Sequence, residues 1–345
     1  MKELNSYDDR NYFITVKQEH SNPHMDTPSP DGYVLKILNS MDSKNLDYVE
    51  AMQSLILHAW ENDIQTTRPV LSVSGKLMHV EEIPVEGSGK EDSPVKTKKH
   101  IVRLFTYIPG DILVKAPYTA SLCYTVGKYA GGLDRKLKTF YNSFYENHGN
   151  IWSMKNLPKL SEFVYAVEDS SDRQLVNDVL QKFNEEVIPY YEEFQKGMIH
   201  GDLNEQNILV RRTESPADDM YDVCGIIDFG DATFSYYLFE IAIVICYIMI
   251  DSTVLEPLIA GGHALAGYVS EMALTERELA ALRVCVAGRL CQSLVMGAYT
   301  YSLNPTNNYV VTTAVRGWPC LRALWSTSPE ILHQRWHSII STYNN

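Results

Sequence analysis

Two stretches of the sequence decide the fold, and each carries acidic residues between apolar segments. They are His200-Gly201-Asp202-Leu203-Asn204-Glu205-Gln206-Asn207 and Gly225-Ile226-Ile227-Asp228-Phe229-Gly230-Asp231. The first has the pattern His-x-Asp-x4-Asn and leads into an apolar strand, and the second begins in another apolar strand. If these strands pair as a hairpin, their outer ends return to the same edge. The sequence therefore predicts that Asp202, Asn207 and Asp228 lie close together.

This order of residues is typical of a phosphoryl-transfer site, with an aspartate on a catalytic loop, an asparagine after it and then an Asp-Phe-Gly aspartate. We expect Asp202 to position an acceptor hydroxyl and to accept its proton. We expect Asn207 and Asp228 to bind magnesium, because Mg²⁺ prefers oxygen ligands. An isolated Asp-Phe-Gly is a weak signal, whereas both loops in this order are a strong one. The alternative is that the loops are two acidic turns between core strands.

Composition limits the classes of protein that this chain can belong to. Hydrophobic residues make up 45% of its 345 residues, which is enough to bury a large core and excludes a wholly disordered chain. The net charge is −13, which argues against a nucleic-acid partner because phosphate contacts need clustered Lys and Arg. An acidic surface suits a cationic small molecule, but it is also ordinary for a cytosolic protein.

Cysteine usage and hydropathy predict a cytoplasmic protein. None of the 6 cysteines forms a Cys-x-x-Cys pair, which favours buried free thiols over a zinc site or a disulfide framework. The polar N-terminus lacks the apolar core of a signal peptide. The most apolar run, Tyr236 to Ile250, is about 15 residues long and contains Glu240, so we interpret it as a buried helix and expect no membrane partner.

Hydrophobic periodicity divides the chain near Pro109-Gly110. The earlier part has alternating strand patterns and one helical pattern, whereas the later part is mostly helical with two short strands around the motif loops. We therefore predict an α+β fold of two lobes, a nucleotide-binding lobe (1–109) with a small antiparallel sheet and a helical lobe (110–345). The later helices are predicted at Tyr118–Leu137, Leu160–Ala166, Arg173–Phe194, Leu238–Ile250, Glu276–Thr300 and Glu330–Tyr343.

A lysine in the first lobe fits a nucleotide site. Lys36 stands among apolar residues of a predicted strand, and Glu50 lies on the helical segment that follows. A lysine at such a position can bind α and β phosphates while it pairs with a helix glutamate. Alone, Lys36 would be interpreted as an edge residue whose ammonium reaches solvent, but the downstream loops favour the nucleotide role. Glu61, or an unpaired solvated face, remains an alternative to Glu50.

At these residues the sequence resembles the aminoglycoside phosphotransferase and choline kinase family, which shares the protein-kinase-like fold. The most informative stretch is His-Gly-Asp-Leu-Asn, where protein kinases carry His-Arg-Asp, and the absence of an Ala-Pro-Glu segment argues against a protein substrate. Within the family the chain is similar to the hydroxylysine kinases. The other matching stretches are Ser6–Asn11, Tyr33–Lys36, Thr106–Gly110, Ile227–Asp231 and Cys291–Met296.

The resemblance implies an activity and its partners. It implies transfer of the γ-phosphate of GTP, or of ATP, to the 5-hydroxyl of 5-hydroxy-L-lysine, with Mg²⁺ as cofactor. It places Tyr107 in the nucleotide-binding segment. Other open readings are a kinase for a related amino alcohol or aminoglycoside, and a catalytically silent form of the fold.

The start of the chain departs from the family pattern. The phosphate-covering loop would be Ser6 to Asn11, only five residues after the first residue, so we expect the first strand to be short or missing and the chain to be a shortened form. The loop carries Asp8 and Asp9 instead of glycines, and a plain turn is the alternative.

Two residues are candidates for binding the acceptor. Asp231 follows the Asp-Phe-Gly aspartate closely, and its carboxylate suits an ammonium group of the acceptor or a second metal ion. Arg289 lies in an apolar helical stretch, where an unpaired charge is costly, and suits a substrate carboxylate. The alternative for Arg289 is an internal salt bridge with Glu276, Glu278 or Glu240.

Overall fold

The computed structural model describes residues 1–4, 9–84, 96–146, 148–213, 220–305 and 309–344. The first half of the expected phosphate-covering loop, Ser6 to Asp8, lies outside the described residues. The chain forms two compact units: Met1–Gly110 with Gly225–Ile227, and Asp111–Cys224 with Asp228–Asn345. The division at Gly110 lies one residue beyond the predicted end of the first lobe.

The first unit is built on a five-stranded antiparallel sheet with the order β1-β2-β3-β5-β4. Its first strand is present but has only three residues. The elements are β1 (Lys2–Leu4), β2 (Arg10–Ile14), β3 (Tyr33–Ile37), α1 (Leu46–Glu61), β4 (His79–Pro84) and β5 (Thr97–Thr106).

Helix α1 covers part of this sheet because its apolar residues recur at helical spacing. Asn45 caps its N-terminus by accepting a hydrogen bond from the Tyr48 amide. Val49, fully buried on α1, packs with Leu38 and Ile101 in one hydrophobic cluster. The sheet and helix therefore enclose a core that fixes the position of β3, the strand that carries Lys36.

The second unit is mainly helical, with two small sheets of order β6-β8-β9 and β10-β7. Residues Gly225–Ile226 at the end of β9 are grouped with the first unit. Its elements are β6 (Asp111–Ile112), α2 (Ala120–Leu137), α3 (Ser170–Glu186), β7 (Lys196–Ile199), β8 (Ile208–Arg212), β9 (Tyr221–Ile226), β10 (Thr233–Tyr236), α4 (Tyr237–Asp251), α5 (Pro257–Glu271), α6 (Glu276–Leu303), α7 (Tyr309–Ser326) and α8 (Pro329–Tyr343). Short 3₁₀ turns lie between them, including Met154–Glu162 and Phe229–Asp231.

Two long apolar helices form the centre of this unit. Helix α4, predicted as a buried helix, has thirteen of its fifteen residues buried. Helix α6 is long and apolar enough to cross a membrane by length and composition alone, but 78% of its most apolar window is buried inside the protein. All six cysteines are buried free thiols, as predicted.

Helices α2 and α5 approach each other closely through two glycines. A Cβ atom at Gly127 on α2 would lie 1.8 Å from the carbonyl oxygen of Ala264 on α5. A Cβ atom at Gly267 on α5 would lie 1.9 Å from the carbonyl oxygen of Tyr124 on α2. The two backbones therefore touch directly, and neither helix tolerates a side chain at these points.

Substitution Gly127→Ala should destabilise the protein, because the added methyl group forces the two helix backbones apart. We expect the free energy of unfolding, measured by urea denaturation, to fall by about 1–3 kcal/mol. The matched control is Gly132→Ala on the same helix, where a Cβ atom meets nothing within 4 Å. That control should gain about 0.5–1 kcal/mol from helix propensity. Equal stability of the two variants would contradict the close approach.

Candidate active site

The loop that carries Asp202 leaves β7 through a glycine that the geometry requires. Gly201 has a φ of +78°, in the left-handed region that favours glycine. A Cβ atom at this position would also lie 2.5 Å from the carbonyl oxygen of Asp231. The first motif loop can therefore pass against the second only with glycine at position 201.

Both carboxylate oxygens of Asp202 are held by side chains. Oδ1 accepts a hydrogen bond from Arg289 Nη2 at 2.7 Å, in an ion pair that leaves the Asp202 side chain 19% exposed. Oδ2 accepts from Asn204 Nδ2 at 2.8 Å and from Asn207 Nδ2 at 2.9 Å. Charge-assisted bonds of this length are strong. The orientation of the carboxylate is therefore fixed from both sides.

A buried glutamate holds the backbone of the same loop. Glu240, fully buried on α4, accepts a hydrogen bond from Gly201 N at 3.1 Å and another from His200 N. The His200 ring packs against Phe229 with 4.7 Å between ring centroids. Both contacts brace the loop, so His200 serves as a scaffold residue of this loop.

The second motif loop places two more carboxyl groups near Asp202. Asp228 has a left-handed φ of 64° and precedes the 3₁₀ turn Phe229–Asp231, whose Phe229 ring is buried. Burial raises the pKa of Asp202 well above its ordinary value, the charge of Arg289 opposes this rise, and the charges of Asp231 and Asp228 add to it. Asp202, Asp228 and Asp231 therefore lie within electrostatic reach of one another.

The residues expected to bind a cation have suitable oxygen atoms. Asn207 uses Nδ2 to donate to the Asp202 backbone oxygen and to Oδ2, which leaves its Oδ1 as the atom for a cation. With the Asp228 carboxylate, this makes an oxygen donor set that suits Mg²⁺, which keeps several water ligands and binds substrate phosphates. No group of three or more His, Cys, Asp or Glu residues that could bind a metal occurs in the described part of the chain.

Asp231 is held by Asn150, a residue that no sequence motif indicates. Asn150 Nδ2 donates to Asp231 Oδ1 at 2.5 Å, while Asn150 Oδ1 accepts from the backbone amides of Trp152 and Ser153. Burial raises the pKa of Asp231, and the hydrogen bond from Asn150 opposes this. An asparagine in a Gly-Asn-x-x segment predicts a turn, but nothing in that pattern predicts a contact with a residue 81 positions later.

Arg289 directs its terminal nitrogens into the protein. Besides Asp202, Nη2 donates to the Tyr247 hydroxyl at 3.2 Å, and Nη1 donates to Trp152 O at 3.1 Å and to Gln292 Oε1 at 3.0 Å. The residue is 1% exposed. Its ion-pair partner is thus Asp202 and not one of the glutamates considered from the sequence. The expected contact of Arg289 with a substrate carboxylate stays a prediction.

The candidate nucleotide residues all lie in the first unit. Lys36 Nζ on β3 lies 3.2 Å from Asp9 Oδ2, and the two side chains are 17% and 16% exposed. Asp9 is itself held by Asn39, whose backbone amide donates to Asp9 Oδ1 at 2.9 Å. Glu50 is exposed on α1, so its expected pairing with Lys36 also stays a prediction. Tyr107 packs edge-on against the ring of Phe13.

Known proteins are similar to this chain over nearly its whole length. Residues 1–274 match the model of the phosphotransferase enzyme family. Over 99% of its length the chain is 35% identical to hydroxylysine kinase of Xenopus laevis and 33% identical to that of Bos taurus, and it covers 89% of each relative.

Solved structures show the same fold at lower identity. An amicoumacin kinase in complex with AMP-PNP, Ca²⁺ and Ami aligns with a TM-score of 0.65 at 18% identity, over 96% of this chain and 91% of that one. A microcompartment-associated aminopropanol kinase aligns with a TM-score of 0.65 at 18% identity, over 94% and 92%. These matches confirm the predicted α+β fold, with an antiparallel-sheet lobe and a helical lobe.

The ion pair between Lys36 and Asp9 should be measurable as a coupling in unfolding experiments. We expect the variants Lys36→Met and Asp9→Asn, combined in a double-mutant cycle, to couple by about 1 kcal/mol, because both side chains are mostly buried. The matched cycle of Lys36→Met with Glu50→Gln tests the pairing predicted from the sequence and should give a smaller coupling, because Glu50 is exposed. Coupling to Glu50 and none to Asp9 would show that Lys36 pairs as the sequence predicted.

Glu240 should make stability depend on pH. Burial raises its pKa to about 7 in the folded state, although hydrogen bonds from Gly201 and His200 oppose this rise. Because the folded state then binds this proton more tightly than the unfolded state, the stabilisation is present below pH 4.5 and is lost as pH rises through 7.

Urea denaturation at two pH values tests this sign. The contribution of Glu240 to the free energy of unfolding should fall by roughly 2 kcal/mol between pH 5.5 and pH 8.5. The variant Glu240→Gln cannot ionise at this position and should show a correspondingly smaller decrease. An identical pH dependence in both proteins would show that Glu240 is already ionised in the fold at pH 5.5.

Proposed function

Since the chain belongs to the phosphotransferase enzyme family and, within it, to the hydroxylysine kinases, we propose that it transfers the γ-phosphate of GTP to the 5-hydroxyl of 5-hydroxy-L-lysine. It is a kinase that acts on a hydroxyl group of a small molecule. Near-full-length identity of 33–35% to four hydroxylysine kinases supports the choice of acceptor. The proposed partners are a cationic amino acid and a nucleoside triphosphate, in the cytoplasm.

The single observation that carries this function is the held carboxylate of Asp202. A carboxylate has about four lone-pair positions, and the contacts described use one on Oδ1 and two on Oδ2. One position on Oδ1 remains for the hydroxyl of the acceptor. Asp202 then orients the hydroxyl and receives its proton as the oxygen attacks the γ-phosphorus, a role worth about 10²–10⁴ in rate.

Asn207 and Asp228 would hold Mg²⁺ through their oxygens. When bound, the metal neutralises charge on the transferred phosphate and on the leaving diphosphate. Asn207 then serves two functions, because the amide nitrogen that orients Asp202 belongs to the same group as the oxygen for the cation. Asn207 thereby fixes the distance between the Asp202 carboxylate and the proposed metal site.

Asp231 is the proposed partner of an ammonium group of the acceptor. Asn150 occupies Oδ1, which leaves Oδ2 for the substrate. Hydroxylysine carries two ammonium groups, so a carboxylate close to Asp202 distinguishes it from neutral alcohols. Lys36 and Tyr107, with Glu50, are the proposed nucleotide-binding residues of the first unit.

Turnover with hydroxylysine tests the proposal directly. The wild-type protein with Mg²⁺ and GTP, or ATP, should consume nucleotide with 5-hydroxylysine but not with lysine, which lacks the acceptor hydroxyl. The variant Asp202→Asn should stay folded under assay conditions, checked by circular dichroism, although it leaves Arg289 without a carboxylate partner, and it should lose about 10²–10⁴ in kcat.

Two outcomes would reject parts of this function. Near-normal turnover by Asp202→Asn would remove the assigned role of the carboxylate. Inactivity of the wild type with hydroxylysine, together with turnover of homoserine, choline or an aminoglycoside, would replace the acceptor and retain the reaction class.

A further inference from the structure

A buried guanidinium in the middle of a core helix requires an explanation. Arg289 lies on α6 among fully buried apolar residues, and an unpaired charge in such a place costs several kcal/mol. Four of its five N–H groups donate to protein acceptors, and Nε is buried without a partner in the described residues. Asp202 is the only carboxylate among these acceptors, so it is the partner that compensates the charge of Arg289.

The contact determines which way the Asp202 carboxylate faces. The terminal torsion of an aspartate is soft, so an unheld carboxylate samples a broad range of orientations. Arg289 binds Oδ1 while Asn204 and Asn207 bind Oδ2, so the two oxygens cannot exchange places without breaking three hydrogen bonds. The plane of the carboxylate is therefore fixed, and its open lone-pair position lies on the oxygen that Arg289 contacts.

The same arginine is tied to the segment that holds Asp231. Arg289 Nη1 donates to the backbone oxygen of Trp152, and Gln292, one turn further along α6, donates to that of Ile151 at 2.7 Å. Asn150, at the start of this segment, donates to Asp231. A continuous chain of hydrogen bonds thus runs from Asp202 through α6 to Asp231.

We infer that Arg289 is a positioning residue that orients Asp202 and sets its distance from the acceptor-binding Asp231. This inference rests on the proposed function, in which Asp202 receives the proton of the acceptor. Arg289 then acts through Asp202 and does not contact the substrate itself. Misplacement of a reacting group by about 1 Å can cost about 10²-fold in rate, so loss of this guanidinium should lower kcat more than it changes KM.

Three variants and one control test the inference. Arg289→Met removes charge and hydrogen bonds, and Arg289→Lys keeps the charge but not the planar fork. Asp202→Asn/Arg289→Met removes both charges, which a protein interior tolerates better than one unpaired charge. The control is Arg283→Met on the same helix, because Arg283 is half-buried and donates to the backbone oxygens of Leu324 and Trp325.

The kinetic result depends on whether Arg289 acts through Asp202. Arg289→Met should lose about 10²-fold in kcat with a change in acceptor KM of less than about threefold, and Arg289→Lys should recover at least about tenfold of that loss. In the Asp202→Asn background the same change should cost less than about threefold, because its route of action is already removed. Arg283→Met should match the wild type. A full and multiplicative loss in the Asp202→Asn background would overturn the inference.

A stability measurement separates this inference from the proposed function. In urea denaturation the double variant should be more stable than Arg289→Met alone, whatever the acceptor is. If Arg289→Met does not fold, the kinetic comparison uses Arg289→Lys in both backgrounds. If the wild type does not phosphorylate hydroxylysine, the proposed acceptor is wrong. The same kinetic cycle, measured on nucleotide hydrolysis by water, still tests the role of Arg289. Additive effects in both measurements would reject it.

Discussion

Two buried side chains, Arg289 and Glu240, hold the loop that carries Asp202, and the candidate active site depends on their hydrogen bonds. The guanidinium of Arg289 lies against Asp202, and the backbone amides of His200 and Gly201 lie against Glu240. Without Asp202, the charge of Arg289 would carry the full cost of leaving water. The loop is therefore held at two points: Glu240 of α4 binds its backbone, and Arg289 of α6 binds the Asp202 side chain.

The two motif loops fit together as one surface because glycine and aromatic residues stand where they touch. Gly201 passes the carbonyl oxygen of Asp231, and the His200 ring lies on Phe229. Each loop thereby fixes the other, and Asp228 keeps a left-handed backbone conformation that few non-glycine residues adopt. Strained backbone at this point is consistent with a site whose geometry is set before any substrate arrives.

Local patterns in the sequence predicted the motif loops and the long helices, whereas contacts between distant segments were beyond it. The spacing of Asp202, Asn207 and Asp228 was readable because it spans one short hairpin, but Arg289 is 87 residues from Asp202. Helices α5 and α7 had no predicted counterpart, since α5 holds three glycines and α7 contains Pro319. Packing against α2 and α6 outweighs those weak propensities. Asp9 pairs with Lys36, and Asn150 donates to Asp231. Neither contact was predicted, because the partners are far apart in the sequence.

The burial of every cysteine has a consequence for the chemistry of the native protein. Burial raises the pKa of the Cys123 thiol to about 12 and that of Cys320 to about 11, so both stay protonated at neutral pH. Alkylating agents and oxidants react with thiolates that they can reach. The cysteines are therefore unreactive in the folded state. Labelling with such a reagent requires local or global opening of the protein.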